Sequence, residues 1–175
     1  FRLSIDAYQK ALRLREQIKD RFGQGLTLSG MGAVEWRMGE FQRAIDLYSL
    51  ALDLFREEKA VPQQADVLSN MGLVFADLGD EASARQRYGE ALQLWRAAKD
   101  KAGEARTLNN LGMLKNGTAA LRQSLALSVE LKDQRGRAYT LHNLGDAYAA
   151  SEGFAKADES YQVSLALKRE IGDRG

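Results

Sequence analysis

The chain writes the same stretch several times. Gly32, Gly72 and Gly112 stand 40 residues apart, and Gly145 follows 33 later. Each is preceded by an apolar residue: Met31, Met71, Leu111 and Leu144. Twelve residues after three of them comes alanine (Ala44, Ala84, Ala157), and four later a tyrosine (Tyr48, Tyr88, Tyr161). A small residue and a leucine complete the pattern: Ala51–Leu52, Ala91–Leu92 and Ser164–Leu165. The opening stretch holds only the second half, in Tyr8, Ala11 and Leu12. A repeat of this length cannot bury its apolar face alone, so the copies must stack on one another.

Within a copy the apolar places have helical spacing. Leu68, Met71, Gly72 and Phe75 form one stripe; Ala84, Tyr88, Ala91, Leu92 and Trp95 form the stripe of the next helix. Glycine inside a helix costs about 1 kcal/mol against alanine, so it needs a reason. Close approach supplies one, because small residues let two backbones touch while the aromatic fills the gap. "MGEF", "LGDE" and "EGF" mark the hairpin turns with helix-ending glycines. Pro62 falls where a first helical turn tolerates it. The expected helices cover 2–21, 24–38, 41–59, 63–78, 81–99, 103–114, 118–132, 136–150 and 154–171, with no strand.

The spacing of Leu68, Met71–Gly72, Phe75, Ala84, Tyr88 and Ala91 resembles the tetratricopeptide repeat. The period of 40 is similar to the longer variety of kinesin light chain, spindle-orientation adaptors and bacterial regulatory proteins. The resemblance implies an all-α, right-handed α-solenoid of stacked antiparallel helix hairpins, about four and a half repeats long. The expected organisation is one domain over 1–175. It comprises an orphan second helix at 1–22, repeats at 23–62, 63–102 and 136–175, and a shortened or incompletely recorded repeat at 103–135.

That third copy runs from Gly112 to Leu125 in 13 residues where its neighbours need 20. Two helical turns are missing between Leu114 and Lys115. Two readings fit. Either the deletion is real, with Asn116–Gly117 in a tight turn and Thr118 capping the next helix, or a hairpin tip goes unrecorded here.

Chemistry-bearing constellations are scarce. Cysteine is absent, which excludes disulfides and thiolate metal sites. The single histidine, His142, has no second ligand type spaced around it. "FGQGLTLSGMG" follows a helix and lacks the Lys-Ser/Thr of a phosphate loop. Three of its glycines read as a helix stop and packing positions. "REEK" and "KDKAGEAR" read as solvated faces and connections with local ion pairs, Trp36 and Trp95 as packing residues, with partial exposure of Trp36 near the groove as the alternative. Lys and Arg total 25 against 24 Asp and Glu, so no global field draws the chain to nucleic acid or to a lipid surface. No apolar run approaches the roughly 20 residues that span a bilayer. We expect no enzymatic activity, no cofactor or metal, no nucleic-acid or membrane partner, and a cytoplasmic location.

The first helices of such a solenoid line its concave face. Stepping opposite the core stripe gives Asp66 and Asn70, then Arg106, Asn110 and Met113, then Tyr139, Asn143 and Asp146, with Ser69, Asn109 and His142 flanking. Asn70, Asn110 and Asn143 are expected one above another. Primary amides donate and accept at once, so this ladder suits either the backbone of an extended peptide or bonds between adjacent repeats. The carboxylate clamp of chaperone-docking members is not expected, since Ser29 and Ala33 stand where lysine and asparagine belong.

The reading is therefore a non-enzymatic protein–protein interaction scaffold that takes a peptide or protein segment in its groove. The alternative is a self-associating or regulatory repeat segment of a larger signalling protein. Phe1, Ile5, Tyr8 and Leu12 at one end, and Leu165 and Ile171 at the other, are expected to meet another chain end to end. Replacing Gly72 or Ala84 by leucine should overpack its hairpin and cost at least about 1–3 kcal/mol. Melting temperatures equal to wild type for both variants would show that these residues are not packing contacts.

Overall fold

The computed structural model describes residues 2–151 and 153–172, with side chains from Ile5 onward. Among these residues the secondary structure is helical throughout: α1 (Arg2–Gln17), α2 (Arg21–Arg37), α3 (Phe41–Glu57), α4 (Val61–Asp77), α5 (Glu81–Ala98), α6 (Lys101–Gly112), α7 (Thr118–Glu130), α8 (Gln134–Ser151) and α9 (Phe154–Glu170). The chain is all-α and of the helical-repeat class. Every helix expected from periodicity is present, and the largest shift is four residues at the end of α1. Contacts divide the chain into two compact units, 1–94 and 95–175, with the boundary inside α5.

The junctions between repeats explain that shift. α1, α3, α5 and α7 are each followed by a lysine in the left-handed region: Lys19 (φ 57°), Lys59 (φ 54°), Lys99 (φ 56°) and Lys132 (φ 55°). In three junctions the next residue is an aspartate that caps the following helix. Asp20, Asp100 and Asp133 accept from the backbone N–H of Gly23, Gly103 and Gly136 at 2.8, 2.9 and 2.9 Å. Each cap satisfies one orphan donor of a helix start. The fourth junction has Ala60 and uses Pro62 in the first turn of α4 instead. The motifs read from sequence as solvated faces and connections with local ion pairs do carry such pairs, Arg56 with Asp53 at 3.3 Å and Arg96 with Glu104 at 2.6 Å, and they also hold the helix stop-and-start signals. Gly23 is accordingly no helix stop: it and Gly25, Gly30 and Gly32 all lie inside α2.

In the first unit, glycines mark where rings lie on backbone. A Cβ on Gly32 would sit 3.0 Å from the Tyr48 ring, and one on Gly72 2.5 Å from Tyr88. Gly25 meets Phe55, and Gly30 meets Tyr8. Tyr8 therefore has a partner on α2, and Ile5 and Leu12 are half-buried rather than bare; Phe1 lies outside the described residues. Ala44, Ala51, Ala84 and Ala91 are wholly buried where the helices run closest. Trp36 reaches from α2 to α4, its indole N–H donating to Asp77 Oδ2 at 2.6 Å. Glu35 stands where the next copy has Phe75 and is buried, its Oε2 unpartnered, a local cost to stability.

In the second unit serine takes over some alanine places and repays its hydroxyl with bonds. Ser124 donates to Ala105 O at 2.8 Å and Ser164 to Ala138 O at 2.7 Å, each within its own hairpin. Trp95 lies on Gly103, and its N–H donates to Thr107 Oγ1 at 3.1 Å. Gly145 takes the Tyr161 ring, and Gly112 takes Leu121 in place of a tyrosine.

The short hairpin closes through residues 113–117. Asn116 adopts φ 59°, and the Gly117 N–H donates to Leu114 O at 2.9 Å. Thr118 is the first residue of α7, and Gly117 caps it without any side-chain bond, so the expected threonine cap is not formed. Gly117 is required sterically, since a Cβ there would meet the backbone of Gly112.

Burial also marks the tyrosines. It pushes Tyr48 from the usual 10.0 to about 12, against the opposing pull of Arg37. The folded chain thus keeps a proton that the unfolded chain releases above about 10. Its contribution to stability is intact below that pH and is lost as pH rises through about 12. Absorbance titration should show Tyr48 ionising only with unfolding, and the Tyr48→Phe variant should lose stability less steeply between pH 10 and 12. Identical alkaline profiles would contradict this.

Candidate functional site

The first helices of the later hairpins, α4, α6 and α8, turn polar residues outward, whereas α2 exposes Phe22 and Leu26 at 38% and 43%. On α4, in the first unit, Asp66 is exposed and Ser69 and Asn70 are half-buried. In the second unit, α6 and α8 bring more of the expected residues together. Arg106 is exposed, with its guanidinium 5.9 Å from the Trp95 ring. Asn109 and Asn110 are half-buried behind it, and Met113 projects from the end of α6 at 65% exposure.

On α8 the Tyr139 ring has Lys168 Nζ 5.1 Å from its centre. His142 stacks obliquely on Tyr161, centroids 5.5 Å apart, with Nε2 4.0 Å from Asp146 Oδ2. The Tyr161 hydroxyl donates to Asp146 Oδ1 at 2.6 Å, and that bond holds the phenol above its ordinary pKa. Tyr161 thus orients the carboxylate from beneath, a role its repeat position had disguised as plain packing.

Asn143 Nδ2 donates to Asn109 Oδ1 at 3.0 Å, so α8 is tied to α6 by an amide pair. The partner is Asn109, one residue before the Asn110 of the expected row. One rung of the ladder therefore serves the scaffold. A primary amide carries two N–H groups and two lone pairs, so this bond leaves bonding capacity on both residues.

Met113, Asn143 and Asp146 also share a cleft of about 500 Å³ beside the short hairpin tip, completed by 114–118 and by Ala147, Ala150 and Ser151 of α8. The seven-residue shortfall was its sequence signal. Among the described residues, no three His, Cys, Asp or Glu side chains gather as metal ligands. No helix among them is long and apolar enough to cross a membrane.

Antiparallel helix pairs repeated along the chain define a helical-repeat protein. A tetratricopeptide-repeat family model matches residues 1–57 and 63–119, and a second matches 140–175. The chain belongs to the tetratricopeptide repeat family, whose repeats are generally non-enzymatic and mediate protein–protein contacts. No curated protein sequence matches it.

Among solved structures it is similar to BtubC (BKLC) from P. vanneervenii, at 23% identity and a TM-score of 0.84, covering 100% of this chain and 76% of that one. It is similar to the apo form of RapI at 16% identity and a TM-score of 0.74, over 95% of this chain and 61% of RapI. The Q17M form of a putative kinesin light chain from Podosopora anserina, with nearly identical TPR-like repeats, matches at 15% identity and a TM-score of 0.65, over 98% of this chain and 92% of that one. At such identities the likeness is one of fold.

Proposed function

We propose that the chain is a non-enzymatic scaffold that binds a peptide or protein segment on its first-helix face. The observation that carries this is the surface of α6 and α8. Exposed Arg106, Tyr139, His142 and Asp146 surround the half-buried Asn109, Asn110 and Asn143. Charged groups of both signs and amides alternate there, so a bound backbone finds donors and acceptors while the flanking charges select side chains. Asp66, Ser69 and Asn70 offer the same chemistry on α4. Each net hydrogen bond contributes about 0.5–1.5 kcal/mol, which suits a micromolar, exchangeable partner.

A second reading, association with another chain through α9, has one observation in its favour. Leu165 is 49% exposed, whereas its counterparts Leu52 and Leu92 are 5% and 6% exposed. Light scattering over a concentration series separates the two readings.

Selection of a displayed random-peptide library against the protein would supply ligands for a direct test. The double variant Arg106→Ala/Asn110→Ala should keep a cooperative melt and bind the selected peptides at least about tenfold more weakly. Asn143→Ala should instead lower the melting temperature, because it breaks the bond to Asn109. Undiminished peptide affinity in the double variant would overturn the groove.

A further inference from the structure

We infer that the cleft beside the short third hairpin is a receptor for an indole side chain followed by a basic residue, carried on a helical turn of a partner protein. This rests on the reading of the chain as a peptide-binding scaffold and assigns that scaffold a specific subsite.

The cleft exists because of what is missing. Where the third copy passes from Leu114 to Lys115, the first has "EWRMGEF" (35–41) and the second "FADLGDE" (75–81). In the first unit that segment does a definite job: Trp36 leans from the end of α2 onto α4 and donates its ring N–H to Asp77. Asp77 lies five residues after Gly72; five after Gly145 lies Ala150. Ala150 lines the cleft, with Ala147, Ser151 and the end of α6 around it. The place on α8 that corresponds to the indole seat on α4 is therefore open, floored by small residues, and without an indole of its own chain.

Size and charge agree with that occupant. About 500 Å³ is within the usual range for pockets that enclose a ligand. An indole is the largest side chain that would exploit it, burying roughly 150–250 Å². The cleft also offers acceptors. Ser151 Oγ gives its proton to Ala147 O at 2.6 Å, which leaves its lone pairs for an incoming N–H. Asp146 stands at the rim with 61% of its side chain exposed, one oxygen held by Tyr161. A base next to the indole complements that carboxylate, and the chain's own Trp36–Arg37 has this order.

The test uses a fluorescein-labelled synthetic peptide with the sequence of residues 33–43, "AVEWRMGEFQR", and reads anisotropy. The intact chain should bind it saturably in the micromolar range. Peptides carrying Trp36→Ala or Arg37→Glu should bind at least about tenfold more weakly. Two protein variants fill the cleft in cis: Ala150→Trp, and insertion of a copy of residues 75–81 between Leu114 and Lys115. Each should keep a cooperative melt and lose the peptide by at least about tenfold. Arg56→Ala, on the exposed side of α3 and in neither surface, should bind the peptide as wild type does, and the library-selected peptides report on the groove separately, which distinguishes failure of the cleft from failure of the groove. Absence of saturable binding to the intact chain up to about 1 mM, the weak end of specific affinity, would overturn the assignment. So would equal binding by the two filled variants.

Discussion

The contact of a tyrosine ring with a bare stretch of helix backbone sets the spacing of this protein. Tyr48 on Gly32, Tyr88 on Gly72 and Tyr161 on Gly145 are the same interaction written three times. Glycine is a poor helix residue, and each copy accepts that local cost because the ring then lies against the helix without lifting the helices apart. The alanines at 44, 84 and 157 extend the close approach along the second helix, all of them buried. With the hairpin spacing set, the exposed polar residues of α4, α6 and α8 are placed as well. The surface on which the proposed binding rests is therefore a by-product of the core geometry.

Variation around that contact is where the copies become individual. Leucine replaces tyrosine opposite Gly112, and the same copy lacks seven residues of tip. The shorter hairpin compensates through Gly117, whose missing side chain lets its backbone meet Gly112. Serine replaces alanine at 124 and 164, and each hydroxyl finds a carbonyl across its hairpin, so the exchange leaves no buried donor unmade.

Much of this was legible in the residues, and the exceptions have physical causes. Period and stripe gave nine helices because apolar burial dominates and recurs at helical spacing. The left-handed lysines of the junctions were not legible because a lysine at φ near 55° carries no special chemistry; only the aspartate after it and the glycine three further on mark the stop and start. The asparagine row was drawn from helical steps alone. Such steps do not say which amide meets which, and Asn143 donates to Asn109. The missing tip was visible as a length difference, but the space it leaves depends on the small residues of α8, a neighbour in space and not in sequence.

The ring-on-glycine contact can be measured by a double-mutant cycle in urea on Gly72 and Tyr88. With Tyr88 present, Gly72→Ala puts a Cβ 2.5 Å from the ring and should destabilise the protein by about 1–3 kcal/mol. With Tyr88→Ala the ring is gone, the helix preference for alanine over glycine is worth about 1 kcal/mol, and the same substitution should stabilise. A reversal of sign between the two backgrounds is what the contact predicts. The same sign and size in both would contradict it.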